Sequence, residues 1–190
     1  LWTGTDYIGE AGWPSHGWPA GLFDICMVEK PRAAFHRAMW NDEPMVRIAV
    51  RDNALDIDHG RDLWQWPNMG AIWNFPRAYE GLVIEVNTTT NCERVALFHN
   101  GNEMGVRRTA DYPNHTITWC LPYRRGTLVA KGINGTDTVA VHEIRTAGDA
   151  VRLKTTADRG KLMADGQDLS YVQVELLDKD GTLVQHADRH

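Results

Sequence analysis

The sequence predicts a mainly β protein. An immunoglobulin-like antiparallel β-sandwich occupies residues 45–147, a single β/α unit precedes it in residues 1–44, and a truncated second β-sandwich follows in residues 148–190. Three observations lead there. Short apolar runs of period two recur at regular spacing after Pro44. Asn100-Gly101 and Asn134-Gly135 stand between such runs, and Asn-Gly is a strong short-range hairpin signal. Helix-compatible sequence is confined to one stretch, Arg32 to Trp40.

Each element follows in order. Leu1 to Thr5 reads as a short buried strand end that opens into a long loop. Pro31 suits the first helical position, where its missing N–H costs nothing. Phe35 and Met39, four apart, share one helix face. Asn41-Asp42-Glu43-Pro44 ends the helix, because the residue before proline disfavours the helical region. A lone β/α unit of this size has no core of its own, so something else must cover it. After Pro44, Val46, Ile48 and Val50 alternate with other residues. Residues 52–80 are irregular. Leu82 to Val86 reads as a strand, and Val95, Leu97 and His99 alternate in the next. Ile117, Trp119 and Leu121 mark another, and Thr127 to Ile133 pairs with Thr138 to Ile144 across the second Asn-Gly turn. In the last segment Val151, Leu153 and Thr155 alternate, Asp165-Gly166 turns, and Tyr171 to Leu177 is a strand. Lys179-Asp180-Gly181 turns again into Thr182 to Val184. A sandwich of this kind takes about 100 residues, and the 43 after residue 147 supply only its opening strands. Val151, Leu153, Tyr171, Val174 and Leu176 are therefore expected to be poorly covered.

Composition narrows the function. The 190 residues carry 20 Lys and Arg against 25 Asp and Glu, a net of -5, which is not the basic footprint of a nucleic-acid binder. No apolar run approaches the roughly 20 residues of a membrane-spanning helix, so no membrane partner is expected. No charged and then apolar leader opens the chain. Cys26, Cys92 and Cys120 have neither the number nor the spacing of a disulfide framework or zinc site. Cys92 and Cys120 are read as buried free thiols. The eight His include no i, i+4 pair flanking a Glu, so no metal ligands and no cofactor are assigned. Three glycosylation sequons, at Asn87, Asn114 and Asn134, are expected by chance. Eight Trp is the unusual count, and Trp64, Trp66 and Trp73 read either as a carbohydrate platform or, more naturally, as glue at a domain interface.

The most specific stretch is Leu1-Trp2-Thr3-Gly4-Thr5-Asp6-Tyr7-Ile8-Gly9-Glu10. It resembles the family-2 glycoside hydrolases, in particular the β-galactosidase-like members, whose last barrel strand ends in Trp-Thr-Gly-x-Asp-Tyr-x-Gly-Glu. The resemblance continues through Gly21-Leu22-Phe23-Asp24-Ile25-Cys26, Lys30-Pro31-Arg32 and Trp40 with Asp42-Glu43-Pro44. Trp64 with Trp66, Asn91 to Gly101, and Gly126-Thr127-Leu128 look like the sandwich behind the barrel. Thr146-Ala147-Gly148, Thr156 to Arg159 and Ala164-Asp165-Gly166 look like the next module.

The resemblance implies that residues 1–44 are the last strand, loop and helix of a (β/α)₈ catalytic barrel. It implies a parent that hydrolyses terminal β-glycosides with retention, acts on a β-galactoside-like carbohydrate, and works in the periplasm or outside the cell. Retaining glycosidases use two carboxyl groups about 5–5.5 Å apart, taken in a barrel from the ends of different strands. Those glutamates belong upstream of residue 1, so no catalytic residue is assigned here. Asp6 and Asp24 are expected to hold loop hydrogen bonds, and Glu29 to face solvent or the helix entry. Trp2 is assigned to substrate binding, as one wall of the sugar pocket. Trp13 and Trp18, in the following loop, either extend that wall or anchor the loop. The partners implied are the carbohydrate and the rest of the barrel. Two other readings use the same sandwich: a non-catalytic carbohydrate-binding module, and an Ig-like structural module.

Overall fold

The computed structural model describes residues 3–10, 12–13, 17–51 and 69–185. The chain divides into two compact units, Leu1–Arg145 and Thr146–His190. The described residues are mainly β, in antiparallel sheets, as the alternation predicts.

In the first unit a short hairpin, β1 (Tyr7–Ile8) against β2 (Gly17–Trp18), precedes helix α1 (Pro31–Trp40). Eight strands follow: β3 (Val46–Arg51), β4 (Met69–Gly70), β5 (Val83–Thr90), β6 (Arg94–His99), β7 (Asn102–Arg108), β8 (Thr116–Pro122), β9 (Thr127–Asn134) and β10 (Asp137–Arg145). They form two four-stranded sheets, β4-β3-β5-β8 and β10-β9-β6-β7. One core lies between them. Val46, Ile48, Val50, Ile84, Val86, Ile117, Trp119 and Leu121 enter it from the first sheet, and Val95, Leu97, Leu128, Ala130 and Ile144 from the second. The inward set follows the period of two in each strand, which is why the sequence pattern located them. Trp119 is 2% exposed, donates its indole N–H to Thr88 Oγ1 at 3.0 Å, and carries the Arg107 guanidinium over its ring at 4.4 Å.

The Asn-Gly turn between β6 and β7 has both residues in the left-handed region, Asn100 at φ 51° and Gly101 at φ 80°, the conformation a two-residue hairpin demands. Asn100 also locks a second turn. Its Oδ1 accepts the Thr127 N–H at 2.8 Å and its Nδ2 donates to the Arg125 carbonyl at 3.1 Å. Gly126 passes so close that a Cβ there would stand 1.8 Å from that Oδ1.

Four readings change. The stretch before the helix is more ordered than a strand end and loop: Thr5 bridges Phe23 in parallel, and β1 and β2 lie inside the loop. The apolar side of α1 is the alanine side. Ala33, Ala34 and Ala38 are buried, the latter two against Met45, while Met39 is exposed. Small residues let the helix backbone approach closely, which longer side chains prevent. Trp73 is neither platform nor interface but 0% exposed in the sandwich core, while Trp64 and Trp66 lie outside the described residues. Its indole N–H donates to the Arg124 carbonyl at 3.0 Å, and Tyr123, His99 and Phe75 meet its ring edge to face. Cys92 and Cys120 are both free, but only Cys92 is buried. Trp119 and Leu121 take the inward positions of β8, so Cys120 between them faces out. At the sequon Asn87, the side-chain amide donates to Glu85 Oε1 at 2.9 Å from a buried position, which withdraws it from glycosylation.

The helix is tied to the sandwich by Asn91. Its Oδ1 accepts the Met45 N–H at 2.7 Å, and its Nδ2 donates to the carbonyls of Asn41 and Glu43, both at 2.8 Å. Beside it, Thr90 Oγ1 donates to the Met45 carbonyl at 2.6 Å.

The second unit is a hairpin, β11 (Arg152–Ala157) against β12 (Val172–Leu177), with Leu153 opposite Leu176 and Thr155 opposite Val174. A small cluster of Ala147, Ala150 and Val184 packs with Leu176. Asp178 ties the unit's ends: it accepts N–H bonds from Gly148 at 2.9 Å, Thr182 at 2.7 Å and Asp180 at 2.9 Å, and the Gly148 bond leads in holding its carboxyl below the usual range. Val151, Leu153, Tyr171 and Val174 are exposed as expected, whereas Leu176 is partly buried against the Ala147, Ala150 and Val184 cluster. Two strands with an open apolar face are marginal. In the 190-residue chain at low concentration, amides of β11 and β12 should exchange with solvent at least tenfold faster than those of β5 and β6. Equal protection by mass spectrometry would contradict this.

Candidate functional site

The segment that follows the opening motif carries the candidate site. Trp2 lies outside the described residues; the backbone after it is tightly determined. The Gly4 carbonyl accepts N–H bonds from Leu22 and Phe23, both at 3.0 Å, and the Asp6 N–H donates to the Phe23 carbonyl at 2.8 Å. Asp6 Oδ1 takes the Gly21 N–H at 2.8 Å and the Lys30 ammonium at 2.7 Å, while Oδ2 takes the same ammonium at 2.9 Å. Lys30 Nζ also donates to the Pro19 carbonyl at 2.9 Å, and Arg32 Nη1 to the Ala20 carbonyl at 3.0 Å. The base of the loop from Tyr7 to Ala20 is thus closed by one carboxylate, two cations and two backbone runs. Gly21 is obligatory at the crossing, since a Cβ there would stand 2.3 Å from Asp6 N and from Thr5 C. Above the base, Trp18 is half-buried opposite Tyr7, and Trp13 is 86% exposed.

The other early carboxylates have partners as well. Asp24 Oδ1 accepts the N–H groups of Cys26 and Val28, both at 2.8 Å, as expected of a loop residue. Glu29 does not simply face solvent: it pairs with Arg37 at 3.3 Å and Arg47 at 3.7 Å, bridging α1 to β3. Glu10 sits at φ 52° and accepts the Tyr7 hydroxyl. Among the described residues no cluster of His, Cys, Asp and Glu forms a metal-binding group, and no helix is long and apolar enough to cross a membrane.

The histidines serve the scaffold. His99 Nε2 meets the Arg124 carbonyl that Trp73 also uses, at 3.0 Å. His142 on β10 accepts the Ile48 N–H of β3 through Nδ1 at 3.1 Å. Burial, and secondarily Arg47, lower its pKa from 6.5 to about 4. On α1, His36 lies 4.8 Å from Trp40, and its buried Nδ1 has no hydrogen-bond partner among the described residues. Sequence reasoning quoted Gly21 and Lys30 only as parts of motifs. Their partnership with Asp6 spans 15 and 24 positions, so no local pattern announces it.

The family described as glycoside hydrolase family 2 C-terminal domain 5 matches residues 153–190, and a domain of unknown function (DUF4982) matches residues 81–140. Beta-galactosidase BoGH2A of Bacteroides ovatus is 31% identical over 191 residues, covering 99% of this chain and 20% of that protein. A protein of Formosa agariphila with the provisional name beta-glucuronidase is 31% identical over 195 residues, covering 98% of this chain and 17% of that protein. The solved structure of a glycosyl hydrolase family 2 member from Bacteroides cellulosilyticus superposes with a TM-score of 0.90 at 32% identity, over 98% of this chain and 26% of that one. The chain spans about a fifth of the length of the curated relatives it matches.

Proposed function

The chain corresponds to the C-terminal region of glycoside hydrolase family 2 proteins, and from that premise we propose that it is part of a retaining β-glycosidase acting on terminal β-galactoside-like substrates. In this reading residues 1–44 complete a catalytic barrel whose two glutamates lie on earlier strands. Trp2 forms one wall of the sugar pocket, its indole against the apolar C–H face of the pyranose. The observation that carries the reading is the match to BoGH2A across 99% of the chain, which runs through the opening motif as well as both later segments. The state of α1 supports a barrel partner: Met39 and Trp40 are exposed and His36 Nδ1 is buried without a partner among the described residues, a face suited to cover by neighbouring barrel elements.

Asp6, Glu10, Asp24 and Glu29 are bound up in the scaffold, and retention needs two carboxyl groups on either side of a glycosidic bond. The pure 190-residue chain should therefore give no turnover of a chromogenic β-galactoside, while the protein encoded with its upstream barrel should turn over. In that longer protein Trp2→Ala should lower kcat/KM by about 10- to 100-fold, or about 1.4–2.7 kcal/mol of transition-state stabilisation. Normal kinetics in that variant would remove Trp2 from the pocket. Turnover by the short chain, lost on mutating Glu10 or Asp6, would overturn the division of labour altogether.

A further inference from the structure

We infer that Asn134-Gly135 is a site of spontaneous covalent modification, deamidation through a succinimide, and that Glu93 is the residue that holds it shut. The inference is independent of the glycosidase reading. It begins with the turn. Asn134 pairs with Asp137 where β9 meets β10, so the chain reverses through Gly135 and Thr136. Gly135 takes φ 56°, and a Cβ there would meet nothing within 4 Å, so conformation rather than space demands glycine. Asparagine before glycine is also the pair most open to ring closure, because no side chain shields the glycine nitrogen. The pair that makes the hairpin makes it labile.

The chemistry balances with water as the sole co-reactant. The Gly135 nitrogen attacks Cγ of Asn134, and a bond forms between them. The bond from Cγ to Nδ2 breaks, and Nδ2 leaves as ammonia with the proton that Gly135 gives up. Water then opens the five-membered ring at either carbonyl, leaving aspartate or isoaspartate. Closure needs the Gly135 nitrogen and the Asn134 side chain turned toward each other. Glu93 opposes both movements. Its Oε2 accepts the Gly135 N–H at 2.8 Å, and its own N–H donates to Asn134 Oδ1 at 2.9 Å. A carboxylate beside the Gly135 N–H also disfavours loss of that proton, since like charges repel. Glu93 is itself fixed, because its carbonyl accepts the Thr109 N–H at 2.9 Å. Next to it, Arg94 donates to the Gly135 carbonyl. Among the described residues Asn134 Nδ2 has no hydrogen-bond partner, so the Glu93 N–H is what restrains that side chain.

Asn100-Gly101 is an internal comparison. Its glycine is exposed like Gly135, but the asparagine is held at both ends, by the Thr127 N–H on Oδ1 and the Arg125 carbonyl on Nδ2. None of these bonds involves Glu93.

The test incubates the 190-residue chain at mildly alkaline pH and reads aspartate plus isoaspartate at positions 134 and 100 by peptide mapping. In urea both sites should convert at similar rates, and in the folded chain both should be slower by on the order of tenfold or more. Glu93→Ala should speed conversion at Asn134 by about tenfold and leave Asn100 within about twofold. Glu93→Gln, whose side-chain carbonyl still accepts the Gly135 N–H, should fall between Glu93→Ala and wild type. Folded wild type that converts at Asn134 as fast as in urea, or no change there in Glu93→Ala, would overturn the inference. Slower conversion in Glu93→Ala would make the carboxylate a base for ring closure and overturn it as well. An equal rise at both asparagines would trace the effect to unfolding of the sandwich and remove Glu93 from the role.

Discussion

Replacing Trp73 with alanine is expected to destabilise the sandwich by about 3–5 kcal/mol, the usual cost of truncating a large buried aromatic. The residue is fully buried, and its ring is held edge to face by Tyr123 at 5.0 Å, His99 at 5.6 Å and Phe75 at 6.0 Å. Truncation removes all three contacts and opens a cavity that these rigid rings do not collapse to fill. Trp73→Phe should recover most of the loss and fall short by about 1 kcal/mol, the value of the missing bond to the Arg124 carbonyl. Urea unfolding followed through the amides of β5 and β8 measures both. A loss below about 1 kcal/mol for the alanine variant would mean that the indole is not part of the core.

The second large effect is with pH. His142 offers a lone pair on Nδ1 to the Ile48 amide, joining a strand of one sheet to a strand of the other. A proton on Nδ1 would abolish the acceptor and place a cation beside Arg47. Its folded pKa of about 4 lies below the ordinary 6.5. A depressed pKa means that folding favours the neutral ring. The stabilisation is complete above about pH 6.5 and is lost as pH falls toward 4. One pKa unit corresponds to about 1.4 kcal/mol, and partial screening brings the sum to on the order of 2 kcal/mol. Carboxylates protonating near pH 4 destabilise wild type and variant alike, so the comparison with His142→Gln isolates the ring. Wild type should lose stability more steeply than the variant between pH 6.5 and 4. Parallel curves would show that the ring is not held neutral.

What was legible in the sequence was local. The alternation in β3, β5, β6, β8, β9 and β10 is written at period two, and the Asn-Gly turns carry their backbone conformation in their own chemistry. Trp119 was placed in the core because it keeps phase with Ile117 and Leu121. Trp73 was not, because it lies in an irregular run where no period fixes its direction, and only Tyr123, His99 and Arg124, far along the chain, give it a place. Pro31 and Pro44 bound the helix in the sequence, but the shared face of Phe35 and Met39 does not say which side is buried, and close approach selects the alanines. For the candidate site, the opening motif contains Asp6 but not its partners. The Asp6–Gly21–Lys30 junction escaped because the three residues are individually ordinary and meaningful only together.

The Asn91 tie has a consequence for anyone moving this sandwich between proteins. Sequence composition places the seam at Pro44, yet two bonds from the Asn91 side-chain amide reach back across it to Asn41 and Glu43, beside a third to Met45 on the near side. A graft that starts at Met45 would strand two amide donors where a pair of carbonyls had received them. The transplantable cassette therefore begins at Asn41, with the tail of the helix as its first stitch.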